Sequence, residues 1–265
     1  MTELKRDIKV IAFDLDGTIY NGSQLINGAR ETVDFFRNLK KEVCFFTNNS
    51  SQPRTNIFNK LSKFSISLLE TDVYCCSYAA KVYLKEENFE SLFVIGSDSF
   101  INELSNSGIN IINVVQDIKV DALLIGMDLN FSYTKLAQAY EVLQKNENCK
   151  IIVCNMDSSF PAENGLRKPG CGAIASSIMT ASGRNFDFMI GKPNPYILNL
   201  IAKDKCVQNH EVLIIGDSYE SDIMMAINTK ANSILIDDFG SNNTPNTHKV
   251  NSIAEVWKIF NKYYF

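Results

Sequence analysis

Two aspartates end an apolar segment near the start of the chain. In residues 10–20, "VIAFDLDGTIY", Asp14 and Asp16 are separated by one residue and followed directly by Gly17 and Thr18. Side chains at positions i and i+2 of an extended chain face the same side, so both carboxylates should face one ligand. Burying such acids is costly unless a cation or hydrogen-bond donors meet them. One carboxylate could attack phosphorus as a nucleophile, while the other transfers protons to and from the reacting oxygens.

A second group of residues has the side chains that suit a phosphoryl group. A glycine lets the backbone turn and bring amides toward phosphate oxygens, and a threonine hydroxyl can lock that turn. Hydroxyl and amide side chains can hold the transferring group, and a lysine supplies fixed positive charge for its oxygens. The candidates are Gly17, Thr18, Thr47, Asn48, Asn49 and Lys192. The segment 47–49 also has the composition of a helix-capping loop.

Several aspartates together predict a metal site. Two unit charges about 4 Å apart repel by roughly 4 kcal/mol at an effective dielectric of about 20, so a cluster of carboxylates needs a cation. Mg²⁺ is commonly bound by one or two carboxylates, a backbone carbonyl, waters and a substrate phosphate. The sequence therefore predicts Mg²⁺ as cofactor, with Asp14, Asp16, Asp217 and Asp222 as ligands. For Asp222 a second interpretation is a first-turn acid that stabilises a helix through its dipole.

The elements that must position these residues alternate along the chain. Short apolar segments are followed by segments of helical period, which predicts an α/β fold with a doubly wound, mostly parallel sheet. Polar residues end four of the predicted strands: Asp14, Thr47, Lys192 and Asp217. Ligands of open α/β sheets bind beyond the carboxyl ends of the strands. The four ends can share one crevice if their strands lie side by side.

The spacing of these strand ends predicts two domains. The 33 residues from Asp14 to Thr47 and the 25 from Lys192 to Asp217 each allow one helix and one strand. The 145 residues from Thr47 to Lys192 exceed the needs of one crossover, and roughly 100 of them should form a separate α/β body. The predicted domains are a catalytic core of residues 1–77 and 187–265 and an inserted, smaller α/β cap of residues 78–186.

Composition restricts the function classes. The chain has 265 residues and a formal net charge of −4, which argues against nucleic acid or an anionic membrane as partner. No apolar segment reaches the length of a membrane span and the first residues do not resemble a signal peptide, so we expect a cytoplasmic protein. Seven cysteines without a framework indicate reduced thiols, and two histidines nearly exclude a histidine-based zinc site or a Ser-His-Asp triad.

A glycine-containing segment invites a different interpretation. "GCGAIA", residues 170–175, fits the dinucleotide fingerprint G-x-G-x-x-A. It follows a proline instead of an apolar strand, so the context that the fingerprint requires is missing. We interpret the segment as a tight helix start.

Four motifs carry a family resemblance. "DLDGT", "FFTNNS", "GKPNP" and "GDSYESD" resemble, in this order, the four motifs of the haloacid dehalogenase (HAD) superfamily of phosphatases. The long insert and its segment "NMDSSFPAENGLRKPGCG" are similar to the NagD-like, p-nitrophenyl phosphatase-like branch with a type C2 cap. The resemblance spans essentially the whole chain and implies a HAD-like Rossmannoid core.

The resemblance also implies roles for individual residues. Asp14 would be the nucleophile and a metal ligand, and Asp16 the general acid/base with its backbone carbonyl on the metal. Asp217 would complete the metal site, supported by Asp222. The implied phosphate- and substrate-binding residues are Thr47, Lys192, and, in the cap, Asn155 and Asp157 near Met156. A homodimer formed through the caps is compatible with the resemblance.

The leading hypothesis is a Mg²⁺-dependent hydrolase of small phosphomonoesters that works through an aspartyl-phosphate. The expected partner is a small phosphorylated metabolite, such as a sugar phosphate, a nucleotide, pyridoxal phosphate or phosphoglycolate, because a cap should exclude folded proteins and duplex nucleic acid. Two alternatives remain at this stage. One is a phosphotransferase or mutase on the same scaffold, and the other is a non-enzymatic phospho-aspartate switch in the manner of receiver domains.

Overall fold

The computed structural model describes residues 7–112, 119–161, 166–237 and 247–264. The chain divides into two compact units. The first unit comprises the chain up to residue 47, residues 57–74 and residues 192–265, and the second comprises residues 48–56 and 75–191. Both predicted cap limits, 78 and 186, lie inside the second unit, and the division into core and cap stays a prediction.

The strands follow the apolar segments of the sequence. Buried parallel strands are near-continuous hydrophobic runs, because both faces of their sheet are covered. In chain order the strands are β1 (Val10–Asp14), β2 (Tyr20–Asn21), β3 (Gln24–Leu25), β4 (Glu42–Thr47), β5 (Val73–Cys75), β6 (Ser91–Ile95), β7 (Asn110–Ile111), β8 (Ala122–Ile125), β9 (Lys150–Val153), β10 (Ser159–Pro161), β11 (Arg167–Pro169), β12 (Phe188–Met189), β13 (Val212–Gly216), β14 (Asn232–Ile236) and β15 (His248–Val250). The short strands β2, β3, β10 and β11 are exceptions to the apolar pattern, since β2–β3 and β10–β11 form separate antiparallel pairs.

The helices lie between these strands. In chain order they are α1 (Ala29–Asn38), α2 (Arg54–Lys63), α3 (Cys76–Glu86), α4 (Asp98–Asn106), α5 (Tyr133–Lys145), α6 (Cys171–Ser182), α7 (Tyr196–Asp204), α8 (Met224–Thr229) and α9 (Val256–Tyr264). None of the helices in the described part of the chain combines the length and apolarity that crossing a membrane requires.

The first unit contains a six-stranded sheet in the order β15-β14-β13-β1-β4-β5. Strand β1 pairs in parallel with β13 on one side and with β4 on the other. Every residue of β1 and of β13 is buried. Beneath the sheet, Phe13 of β1 packs on Phe36 of α1, whose ring meets Phe260 of α9 edge to face at 4.9 Å between centroids. The sheet and its helices confirm the predicted α/β class.

The register of this sheet decides which polar residues come together. Asp14 lies opposite Phe46 of β4, and Phe13 lies opposite Ile215 of β13. The next residues along these two strands are Thr47 and Gly216, and Asp217 follows directly. The carboxyl ends of three neighbouring strands therefore bring Asp14, Thr47 and Asp217 to one edge of the sheet, as the sequence predicted.

The second unit contains a five-stranded sheet in the order β12-β9-β8-β6-β7, in which the neighbouring strands pair in parallel. Strand β12, which precedes Lys192, belongs to this sheet because it pairs with β9. The condition that all four strands lie side by side is therefore not met for the strand before Lys192. Strand β12 has only two residues, and so short a strand does not show from its sequence which sheet it joins.

Candidate active site

Lys192 joins two buried carboxylates of the first unit. Its Nζ donates a hydrogen bond to Asp14 Oδ1 at 2.5 Å and another to Asp222 Oδ1 at 2.7 Å. Only 5% of the Lys192 side chain is exposed, and the side chains of Asp14 and Asp222 are 5% and 0% exposed. Lysine and aspartate are almost never buried this far unless they are paired. The three side chains form one charged network in the interior.

Burial and mutual charge set the protonation of this network. Burial raises the pKa of Asp14 well above its usual range, an effect that Lys192 opposes and the charges of Asp222 and Asp217 reinforce. Burial alone would lower the pKa of Lys192, but the charges of Asp14 and Asp222 more than reverse this and raise it. Lys192 is therefore a permanent cation beside Asp14, the predicted nucleophile.

Asp217 completes a cluster of three carboxylates. One oxygen each from Asp14, Asp217 and Asp222 lie within 4.8 Å of one another. Desolvation and the charge of Asp222 raise the pKa of Asp217 to about 6, although its side chain reaches the surface. Carboxylate oxygens are the ligands that hard divalent cations prefer, and three charges this close need one. The donor set and its spacing fit a divalent cation.

Asp222 differs from the other two carboxylates because both of its oxygens are engaged. Oδ1 accepts from Lys192, and Oδ2 accepts from the backbone N–H of Ser218 at 3.1 Å. A Cβ on Gly216 would stand 2.2 Å from Oδ2, so only glycine leaves room for this carboxylate. Asp222 thus fixes the lysine and the turn after β13. Asp222 therefore does more than stabilise a helix through its dipole, because it also holds Lys192.

Asp16 lies in a separate environment on the loop after β1. Its Oδ2 accepts a long hydrogen bond from the Tyr20 hydroxyl at 3.4 Å. Burial raises the pKa of Asp16, and the charges of Lys60 and Lys192 partly offset the rise. Lys60 of α2 places its Nζ 3.3 Å from the centroid of the Tyr20 ring. Tyr20 and Lys60 were not among the predicted site residues, since nothing in the residue pattern shows that α2 passes beside this loop.

The turn at Gly17 is held by backbone bonds. Gly17 has φ +95° and donates its N–H to the carbonyl of Tyr20, and Tyr20 donates to the carbonyl of Leu15. The Thr18 hydroxyl, predicted to lock the turn, is buried and has no hydrogen-bond partner among the described residues, so that prediction is wrong. Thr47, the last residue of β4, is 3% exposed. Phosphate binding by Gly17, Thr18 and Thr47 stays a prediction.

Comparisons with known proteins identify the family. A model described as haloacid dehalogenase-like hydrolase matches residues 11–110, and one described as HAD-hydrolase-like matches residues 189–256. An acid sugar phosphatase of Staphylococcus haemolyticus is 31% identical over 230 residues, which cover 86% of this chain and 85% of that protein. The chain belongs to the haloacid dehalogenase-like hydrolases.

Other relatives of this HAD-like hydrolase are consistent with that result. A 4-nitrophenylphosphatase of Schizosaccharomyces pombe is 28% identical over 86% of this chain and 82% of its own length. The structure of a p-nitrophenyl phosphatase from Archaeoglobus fulgidus superposes with a TM-score of 0.81 over 98% of this chain and 94% of that one. At 22% sequence identity the superposition shows the fold. Because the family is one of hydrolases and these relatives are named phosphatases, we conclude that the HAD-like hydrolase is a phosphatase.

The second unit of the HAD-like hydrolase contains the remaining predicted residues. Asn48 Nδ2 donates to both carboxylate oxygens of Asp157, at 3.2 and 3.1 Å. Asn155 Nδ2 donates to the backbone carbonyl of Asn48 at 2.7 Å. Asn49 Oδ1 accepts from the backbone N–H groups of Ser51 and Gln52 and from the Ser51 hydroxyl, which closes a turn before α2 begins at Arg54 instead of capping that helix. The structure thus brings Asn48, Asn155 and Asp157 together, while Asn49 serves its own turn.

The segment "GCGAIA" is the tight helix start that the sequence analysis predicted. Helix α6 begins at Cys171 directly after Gly170. A Cβ on Gly170 would stand 2.2 Å from the carbonyl oxygen of Asp157, and one on Gly172 would stand 2.4 Å from that of Met156. The two glycines let the backbone of residues 156–158 approach the helix.

Proposed function

We propose that the protein hydrolyses small phosphomonoesters with Mg²⁺ as cofactor, through an aspartyl-phosphate on Asp14. The observation that carries the proposal is the buried contact between Asp14 and Lys192 beside the Asp217 carboxylate. A nucleophilic carboxylate and a metal-binding acid at the ends of the adjacent strands β1 and β13, with a fixed cation beside them, are the parts that phosphoryl transfer requires.

Asp14 and Asp217 would hold the Mg²⁺, together with the backbone carbonyl of Asp16. Both residues belong to the cluster of three carboxylates. The third member, Asp222, is left out because its two oxygens already accept hydrogen bonds from Lys192 and from the backbone N–H of Ser218. Bound Mg²⁺ supplies positive charge that makes the carboxylate cluster tolerable and polarises the phosphoryl oxygens. In this assignment Asp222 supports the site without binding the ion.

The reaction follows from the two aspartates of the first motif. Asp14 attacks phosphorus, so that a bond forms between its carboxylate oxygen and phosphorus while the bond to the leaving oxygen breaks. Asp16 donates its proton to that leaving oxygen. Asp16 then accepts a proton from a water molecule, which attacks phosphorus and breaks the bond to Asp14. Lys192 stays protonated throughout and stabilises the charge on the phosphoryl oxygens.

The environment of Asp16 supports its part in these proton transfers. Burial raises the pKa of its carboxyl, which favours a protonated acid in the first step. Lys60 and Lys192 limit the rise, which keeps the conjugate base accessible for the second step. A carboxyl whose pKa is raised can serve as the acid in the first step and, once deprotonated, as the base in the second.

The proposed substrates are small phosphorylated metabolites of the sugar phosphate, nucleotide or pyridoxal phosphate class. The names of the relatives, acid sugar phosphatase and 4-nitrophenylphosphatase, support a phosphomonoester with a variable leaving group. The net charge of −4 disfavours nucleic acid, whose binding gains affinity from basic surfaces.

Hydrolysis of p-nitrophenyl phosphate by Asp14→Asn tests the proposal. We expect kcat to fall at least about 1,000-fold, in line with the loss of a catalytic nucleophile, while the circular dichroism spectrum is unchanged. Acid quenching after mixing with labelled substrate should trap phosphate on the wild-type protein and none on Asp14→Asn. Asp34→Asn, at an exposed aspartate of α1, is the matched control and should keep the wild-type rate. A native rate in Asp14→Asn would remove Asp14 as nucleophile.

A further inference from the structure

We propose that Asp157 and Asn155 are positioning residues, which hold the turn after β4 through Asn48 and do not contact the leaving group. This inference rests on the proposed function, because the turn begins at Thr47, a proposed phosphate-binding residue. It replaces the expectation that Asn155 and Asp157 bind substrate directly.

The three residues form a closed ring of hydrogen bonds within the second unit. Asn48 donates its side-chain amide to the Asp157 carboxylate, and the Asp157 backbone N–H donates to Asn155 Oδ1 at 3.1 Å. Asn155 then donates its own amide to the backbone carbonyl of Asn48. The ring therefore fixes both the side chain and the peptide group of Asn48. Asn48 is 9% exposed and Asn155 is 4% exposed, so water competes poorly for the bond between these two residues.

The start of α6 holds Asp157 in place. The backbone N–H of Gly172 donates to the carbonyl of Asp157 at 3.0 Å, and that of Gly170 donates to the carbonyl of Ser158 at 2.9 Å. Because a Cβ on either glycine would collide with this segment, the segment lies directly against the helix backbone. The Asp157 carboxylate thus projects from a rigid support.

This support reaches the proposed phosphate site through one peptide bond. Asn48 follows Thr47 directly, so the conformation of Asn48 determines the path on which the chain leaves β4. Phosphoryl transfer is sensitive to small displacements of the groups that orient the substrate, and a shift of about 1 Å can cost about 100-fold in rate. Hydrogen bonds to a carboxylate are stronger than those between neutral groups, so the bonds from the Asn48 amide to Asp157 should oppose such a shift.

Exchanging the two side chains tests the ring. In Asn48→Asp two carboxylates face each other, in Asp157→Asn two amides face each other, and the double variant restores one donor and one acceptor with their places reversed. We expect kcat to fall about 100-fold in Asn48→Asp and about 10-fold in Asp157→Asn, and to return to within about 3-fold of wild type in the double variant. Asp121→Asn, a carboxylate of the second unit that accepts the backbone N–H groups of Glu90 and Ser91, is the matched control and should keep the wild-type kcat.

The substrate dependence separates positioning from direct contact. Turnover of p-nitrophenyl phosphate, glucose 6-phosphate and pyridoxal phosphate should fall by the same factor in each single variant, because all three present the same phosphoryl group. A loss confined to one substrate, or a double variant no more active than Asn48→Asp, would overturn the inference. Thermal unfolding of every variant shows whether a lost rate reflects lost folding, and the isosteric Asp157→Asn keeps the test usable if Asn48→Asp does not fold. Unchanged kinetics in both single variants, alongside an inactive Asp14→Asn, would reject the ring alone, whereas an active Asp14→Asn would reject the proposed function.

Discussion

Gly17 and Asp217 are in contact so close that no side chain fits between them. A Cβ built on Gly17 would stand 2.0 Å from Oδ2 of Asp217. Gly17 also has φ +95°, a conformation that other residues rarely adopt. The loop after β1 and the end of β13 are therefore matched to each other at the proposed metal site.

Gly17→Ala should raise the Mg²⁺ concentration required for half-maximal activity by at least about 10-fold, because the methyl group displaces a proposed ligand. Gly22→Ala is the matched control, since Gly22 also has positive φ and an added Cβ would meet nothing within 4 Å. The control should lose about 1 kcal/mol of stability from backbone strain and keep its Mg²⁺ requirement. Magnesium titrations of both variants decide the matter, and an equal shift in the two would mean that strain is the whole effect.

Asp217→Asn should affect stability in opposite directions with and without metal. The folded-state pKa of about 6 lies above the ordinary value of 3.8, so the wild-type fold binds this proton more tightly than the unfolded chain does. In chelator, the resulting penalty is absent below pH 3.8, grows as the pH rises and is complete above about pH 6. Asp217→Asn lacks this penalty and should be the more stable protein at pH 7 but not at pH 4.

Saturating Mg²⁺ should reverse the order at pH 7. A ligand at 100 times its Kd stabilises the protein that binds it by about 2.7 kcal/mol, and Asp217→Asn should gain much less. Thermal melts in chelator and in Mg²⁺ at both pH values measure the four differences. If Mg²⁺ stabilises the variant as much as the wild type, Asp217 is not a ligand.

Lys192→Met should destabilise the metal-free protein by about 3–5 kcal/mol, because it leaves Asp14 and Asp222 buried without their cation. The loss should shrink as the pH falls and Asp14 takes up a proton, which its raised pKa favours. Lys63→Met, at an exposed lysine of α2, is the control. Urea unfolding in chelator at pH 8 and pH 5 measures the effect. A loss of equal size at both pH values would contradict the charge argument.

Gly172→Ala should lower kcat. The added methyl group pushes against the carbonyl of Met156, next to the Asp157 carboxylate that holds Asn48. We expect a fall of about 10-fold in kcat from the displaced turn. Gly183→Ala, at the other end of α6, has positive φ and open space around its Cβ, so it should cost stability and leave kcat intact. Steady-state kinetics and thermal melts of both variants compare these outcomes, and a wild-type kcat in Gly172→Ala would count against the ring.

The parts of the site that follow from strand patterns were predictable. Strands β1 and β13 are continuous apolar runs. Asp14 ends β1 and Asp217 directly follows β13, and the two residues come together because neighbouring parallel strands end at the same edge of the sheet. The proximity of these two residues follows from chain order and strand direction alone.

The contacts that depend on packing between distant segments were not predictable. Lys192 follows a strand of the second unit's sheet, and its approach to Asp14 depends on the path of the chain after β12. Lys60 comes to lie over Tyr20 only because α2 packs beside the loop. In the same way, the bond between Asn48 and Asp157 joins residues 109 positions apart. Polar residues in motifs indicate that a site exists, but their partners depend on the folded chain.

The division of the chain has a practical consequence for protein engineering. Residues 48–56 belong to the second unit although the chain on both sides of them belongs to the first, so the polypeptide passes between the units at 47/48, 56/57, 74/75 and 191/192. A chimera that exchanged only residues 75–191 with a relative would pair a foreign Asp157 with the native Asn48. A graft of the second unit should therefore carry the nine-residue segment along with the large one.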